Sequence, residues 1–104
     1  MPLPSLNDAP TVFHNEQCDE HGVSFTVTDH LDVRGMNCSK AASFALAASL
    51  KLPVGGVLEA VGNKMCAKME VPGAICSKSF LSVFHMIEQS EAEDSLWWIY
   101  IRRS

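Results

Sequence analysis

The sequence contains no Cys-x-x-Cys pair, no phosphate-cradling glycine loop, no Ser/His/Asp set and no pair of carboxylates spaced for acid–base work. The first absence argues against a local dithiol of the thioredoxin kind and against a zinc ribbon. The others leave nucleotide-dependent and hydrolytic chemistry without a carrier. No apolar stretch approaches the roughly 18–20 residues that span a bilayer. The longest, Leu96-Trp97-Trp98-Ile99-Tyr100-Ile101, is strand-sized. Excess positive charge is also lacking: 8 Lys plus Arg stand against 12 Asp plus Glu, a net charge of −4. That balance argues against direct nucleic-acid binding and against docking on an anionic membrane. The opening Met1-Pro2-Leu3-Pro4-Ser5-Leu6-Asn7-Asp8 has neither a basic n-region nor an apolar h-region. It does not read as a secretory signal, and the expected compartment is the cytoplasm, without membrane insertion.

Cysteine is scarce too. Cys18, Cys38, Cys66 and Cys76 are few for a disulfide scaffold and would allow three pairings if oxidised. A cytoplasmic chain keeps them as thiols, so each is either a small core residue or a chemical one. What the chain does have is the composition of a globular protein, 47% hydrophobic and 19% charged over 104 residues, enough for one small domain.

Residues 1–22 gather Pro2, Pro4, Asn7-Asp8 and Pro10 without sustained periodicity and read as a flexible extension. The folded domain is expected over 23–104. Val23 to Thr28 alternates apolar and polar, and Leu31-Asp32-Val33 continues the pattern, as one long strand or an interrupted one. Arg34-Gly35-Met36-Asn37 is a turn. Cys38 to Leu52 lacks Gly and Pro, is rich in Ala and Leu, and predicts a helix with Ala41, Phe44, Ala45, Ala48 and Leu52 on one face. Pro53 ends it. Val57 to Val61 is a second strand, so the first three elements form a right-handed βαβ unit with parallel strands. A second helix should start near Met65 and be kinked or re-formed at Pro72. Phe80 to Glu88 alternates with period two, Leu81, Val83, His85 and Ile87 sharing a face. Being apolar on both faces, it reads as an interior strand. The acidic stretch with Glu91, Glu93 and Asp94 is a solvated hairpin tip, and Leu96 to Arg102 returns antiparallel. The order β-α-β-α-β-β implies an α/β (α+β) two-layer sandwich, a mixed four-stranded sheet with two helices on one face.

Cys38 is the most informative residue. It stands where a strand turns into a helix, with Asn37 available as N-cap. Orphan backbone N–H groups and the positive end of the helix dipole stabilise a thiolate there. Arg34 and Lys40 add positive charge nearby, and Ser39 offers a hydrogen bond. The thiolate is the nucleophilic form, so the position suits sulfur chemistry.

These residues also carry a resemblance. Leu31-Asp32-Val33-Arg34-Gly35-Met36-Asn37-Cys38 resembles the signature opening of the TusA/SirA-like family of small sulfur carriers. Leu52-Pro53-Val54-Gly55-Gly56-Val57-Leu58-Glu59 is similar to that family's turn into its second strand. Glu70-Val71-Pro72 is similar to its acidic-aliphatic-proline element, and Trp98-Ile99-Tyr100-Ile101-Arg102-Arg103 to its closing strand. The resemblance runs from Leu31 to Arg103 and implies the β-α-β-α-β-β fold. It also implies a persulfide relay, a sulfurtransferase-like activity without cofactor. Cys38 would accept a sulfane sulfur from a donor protein such as a cysteine desulfurase and pass it to a downstream acceptor protein. Arg34, Asn37, Ser39 and Lys40 would support the cysteine. The family reads Cys-Pro-x-Pro where this chain reads Cys38-Ser39-Lys40-Ala41. That departure motivates an alternative: a binding or regulatory module that kept the fold and lost the relay.

The remaining signals have plainer readings. His14, Cys18 and His21, with His30, could approach a zinc site, but solvent-exposed polar residues are the simpler reading. Cys18 could fold back to resolve an oxidised Cys38. Cys66 and Cys76 read as core, and His85 as a hydrogen-bonded strand-face histidine. Trp97-Trp98 places one indole under the helices and offers the other to an interaction surface.

Overall fold

The computed structural model describes residues 13–90 and 95–104. Pro2, Pro4, Asn7-Asp8 and Pro10 of the expected extension, and the acidic tip with Glu91, Glu93 and Asp94, lie outside the described residues. In chain order the elements are β1 (Glu16–Cys18), β2 (Ser24–Thr26), β3 (Asp29–Asp32), α1 (Cys38–Leu50), β4 (Val57–Gly62), α2 (Met65–Cys76), β5 (Leu81–Ser90) and β6 (Ser95–Arg103). The main sheet runs β3-β4-β6-β5. Its β3–β4 pair is parallel, and β4–β6 and β5–β6 are antiparallel. Both helices pack on one face of it. The fold is the α+β sandwich that the element order implies, with a further small sheet, β1–β2, added.

Alternation along β4 and β6 sorts the two faces. Leu58 and Ala60 of β4, and Trp97, Ile99 and Ile101 of β6, point to the helices, and all are buried. They meet Ala41, Ala42 and Ala45 of α1 and Ala67, Val71 and Ile75 of α2. Alanines let α1 approach the sheet closely. Phe44, expected on this face, is 42% exposed, and its ring lies 5.7 Å from the Lys40 ammonium. Ser49 takes the buried place instead, its hydroxyl donating to the Ala45 carbonyl at 2.7 Å. Val57, Val61, Trp98 and Tyr100 point the other way and are covered by Phe25 and Val27.

That second layer corrects three expectations. Val23 to Thr28 does not lead the main sheet. Ser24–Thr26 pairs antiparallel with Glu16–Cys18, in register Gln17 to Phe25. The turn between them is fixed by Asp19, whose carboxylate accepts the His21 and Val23 N–H groups at 2.8 and 3.0 Å, with Gly22 at φ 79°. Residues 13–22, read as extension, thus carry a strand and a turn. Second, β5 is an edge strand, not an interior one. Its two apolar faces reflect cover on both sides: Leu81 faces the helical core and Phe84 meets Phe25 at 4.9 Å. Third, Trp98 is not offered to a partner but buried at 5% exposure under this layer.

The even alternation expected in β5 also fails, for a local reason. The register passes from Val83 opposite Ile101 to His85 opposite Tyr100, so Phe84 is an extra residue in a bulge. A bulge moves every later side chain to the other face. Leu81 and Val83 face the helices, whereas His85 and Ile87 lie opposite Tyr100 and Trp98.

Two ends are held by β6 and β5. The Arg103 guanidinium donates to the Leu50 and Leu52 carbonyls at 3.0 and 3.1 Å, satisfying the C-terminus of α1. α2 starts at Met65 and runs through Pro72 to Cys76 as one helix, and its Lys68 pairs with Glu88 of β5 at 2.6 Å. Gly62 closes β4 directly against Trp97, and a Cβ at this position would clash with the indole ring. Gly62→Ala should therefore lower stability by about 1–3 kcal/mol through overpacking, read as a drop in the urea midpoint. A midpoint at the wild-type value would mean that the indole moves aside freely.

Candidate thiol site

Because β3 and β4 are parallel, each leads out of the sheet at the same end, and each leads into a helix. Backbone pairing continues to the brink of the first connection, Val33 N–H donating to the Val61 carbonyl at 2.8 Å. Gly35, at φ 79°, makes the turn, and its N–H donates to the Asn63 side-chain oxygen at 3.0 Å. That bond ties the connection before α1 to the one before α2. Asn37 caps α1, its Oδ1 accepting the Lys40 N–H at 2.8 Å. Trp97 reaches across the core so that its Nε1–H donates to the Lys64 carbonyl at 3.0 Å, at the start of α2.

The two helix N-termini consequently converge, and they carry the site. Cys38 is the first residue of α1 and Cys66 the second of α2. Their Cα atoms are 5.7 Å apart and they form a disulfide across a sequence separation of 28. This spacing falls within the ordinary range for a bridged pair. Cys38 is half-buried and packs on the helical core; Cys66 is exposed.

Several expectations are corrected here. Cys66 is not core, and neither is Cys76, which is exposed and free. The four cysteines are not all thiols. Cys18, considered as the partner of Cys38, is free and exposed in β1, in the layer on the opposite face of the sheet. Sequence reading missed Cys66 because Met65 and Met69 around it suggested burial, yet they are 61% and 71% exposed. The available signal was positional: two βα units in parallel bring the first turns of their helices together.

The predicted supporting residues take distinct places. Arg34 is committed to Asp32, its Nε donating to Oδ1 at 2.9 Å and its Nη2 to Oδ2 at 2.7 Å. This pair holds the Asp32 carboxyl below its usual range, chiefly through the Arg34 side-chain bond, and raises Arg34. Arg34 therefore shapes the turn, with its charge largely met by Asp32. Ser39 and Lys40 are exposed on the first turn of α1, and Lys40 contributes its backbone N–H to the cap. When the pair is reduced, the field at the sulfurs comes from two helix N-termini.

A second polar group lies on the far face of β4. Glu59 is fully buried and stands opposite Tyr100 in the ladder. Tyr100 O–H donates to its Oε2 at 2.5 Å, and His14 N–H donates to Oε1 at 2.9 Å. The His14 Nδ1 lies 2.7 Å from Oε2, while His30 Nε2 bonds the His14 carbonyl oxygen at 2.8 Å. Burial first, and the Glu59 carboxylate second, push the Tyr100 phenol well above its ordinary value. Of the residues considered for zinc, His14 and His30 turn to Glu59, whereas Cys18 and His21 belong to the β1–β2 hairpin. Among the described residues no group of three or more His, Cys, Asp or Glu is placed to hold a metal ion. His85 rests against the Phe25 and Tyr100 rings, at 5.9 and 5.6 Å.

Among the described residues no helix is long and apolar enough to cross a membrane. The sequence matches no protein-family model and no curated protein.

Proposed function

We propose that this chain is a small sulfur carrier that accepts a persulfide sulfur on Cys38 and relays it to a downstream protein. The observation that carries the reading is the seat of Cys38, capped through Asn37 at the first turn of α1, where a helix N-terminus favours the thiolate. The signature-like run Leu31 to Cys38 supports it. The donor would be a protein persulfide such as that of a cysteine desulfurase, and the acceptor another protein, both in the cytoplasm. The exposed Met65 and Met69, one helical turn apart beside Cys66, offer such partners an adaptable apolar contact. The missing Cys-Pro-x-Pro prolines favour the other reading, a binding module with an idle cysteine.

The test is intact-mass spectrometry of reduced protein after exposure to a cysteine desulfurase loaded with persulfide. Cys66→Ser is the informative background, because no neighbouring thiol competes. It should gain about 32 Da, one sulfur, and Cys38→Ser should gain nothing. Uptake that persists in Cys38→Ser, on Cys18 or Cys76, would remove Cys38 from the role. No uptake by folded Cys66→Ser would leave the binding module standing.

A further inference from the structure

We infer that Cys66 is a resolving thiol that discharges the Cys38 persulfide as hydrosulfide and leaves the Cys38–Cys66 disulfide behind. The inference rests on the carrier reading and goes beyond it, because a relay on Cys38 alone assigns Cys66 nothing. The pairing itself shows that the two sulfurs reach one another with the backbone as it stands, at a Cα separation of 5.7 Å. A persulfide on Cys38 keeps its inner sulfur at that same place. Cys66, on the first turn of α2 and exposed, is therefore already in reach of it. The connection carrying Cys66 is also held from two sides, by Asn63 to Gly35 and by Lys64 to Trp97.

The step balances without an outside oxidant. The Cys66 thiolate attacks the inner sulfur of Cys38–S–SH. The bond between inner and outer sulfur breaks, and its electron pair leaves with the outer sulfur as HS⁻. The sulfane sulfur is reduced to sulfide while two thiols are oxidised to one disulfide. An external dithiol then reduces Cys38–Cys66 and readies the chain for another sulfur. An acceptor protein must take the outer sulfur before Cys66 attacks, so the fate of the cargo depends on whether a partner is docked.

The experiment loads reduced, desalted wild type, Cys66→Ser, Cys66→Ala and Cys38→Ser from a cysteine desulfurase persulfide freed of cysteine. Released sulfide and intact mass are followed together. Wild type should release about one sulfide per chain and finish about 2 Da lighter than its reduced form. Cys66→Ser and Cys66→Ala should each hold a gain of about 32 Da and release little sulfide until a dithiol is added. Wild type that keeps the added sulfur as the Cys66 variants do would overturn the discharge while leaving the carrier intact. Failure of the folded Cys66 variants to load would overturn the carrier reading, and the discharge with it.

Discussion

Oxidised protein, with Cys38 and Cys66 joined, is expected to consume no donor persulfide, and the same preparation reduced with dithiothreitol and then desalted to consume about one equivalent per chain. The contrast is nearly all-or-none because the acceptor must be a thiolate, and the bridge occupies the Cys38 sulfur completely. Exposed Cys18 and Cys76 are unaffected by the bridge, so they serve as internal controls. Measuring the loss of sulfur from the desulfurase, not the gain on this chain, keeps the readout independent of later discharge. Equal consumption by the two redox forms would place sulfur acceptance on Cys18 or Cys76. It would also leave the converging helix N-termini without a chemical role. A difference restored by the dithiol would make the redox state of one residue pair the on–off condition of the relay.

How much of this was legible in the sequence depends on the range of the interactions involved. The β-α-β-α-β-β order was, because each element announces itself within a few residues: alanine-rich Cys38 to Leu50, the turn glycine Gly35, Pro53 after α1. Sheet position was not. β5 is apolar on both faces for the same reason an interior strand would be, cover on both sides, and only its pairing with β6 alone distinguishes the cases. The cover on its far side, β1–β2, consists of three-residue strands whose pairing depends on Asp19 and Gly22, too short for periodicity to register. The bulge at Phe84 inverts half a strand without any glycine to mark it. At the site, Cys38 was legible because its chemistry follows from local position, a turn and then a helix. Cys66 was not, because its significance lies in a residue 28 positions away. The glycine-to-asparagine bond that brings the two connections together is likewise non-local. Glu59 looked like one acid in an apolar strand; nothing in sequence tied it to His14 or Tyr100.

Glu59→Ala is expected to cost about 3–5 kcal/mol of folding stability, because it takes the acceptor from two donors at about 1–3 kcal/mol each. Against the roughly 5–15 kcal/mol that holds a small domain together, that is a large share. The carboxylate is fully buried between β4 and the N-terminal layer. Its removal strips the Tyr100 hydroxyl of its 2.5 Å acceptor and frees the His14 backbone N–H, so one buried and one half-buried donor are left without their partner. Glu59→Gln keeps an acceptor oxygen and should cost less, about 1–2 kcal/mol. Urea unfolding of both variants, at unchanged slope, checks the order of the two effects. A cost below about 1 kcal/mol for Glu59→Ala would mean that water reaches the carboxylate in solution. The loss should also be local before it is global. Glu59 reaches His14, and the His14 carbonyl holds His30, so amide exchange should rise first in β1, β2 and residues 13–15. Leu58, its neighbour in β4, packs in the helical core and keeps its packing. In the variant that remains folded, the Cys38–Cys66 pair should therefore form as in wild type. A carboxylate on one face of β4 would then fasten the N-terminal layer while the thiol chemistry proceeds at the helix ends on the other.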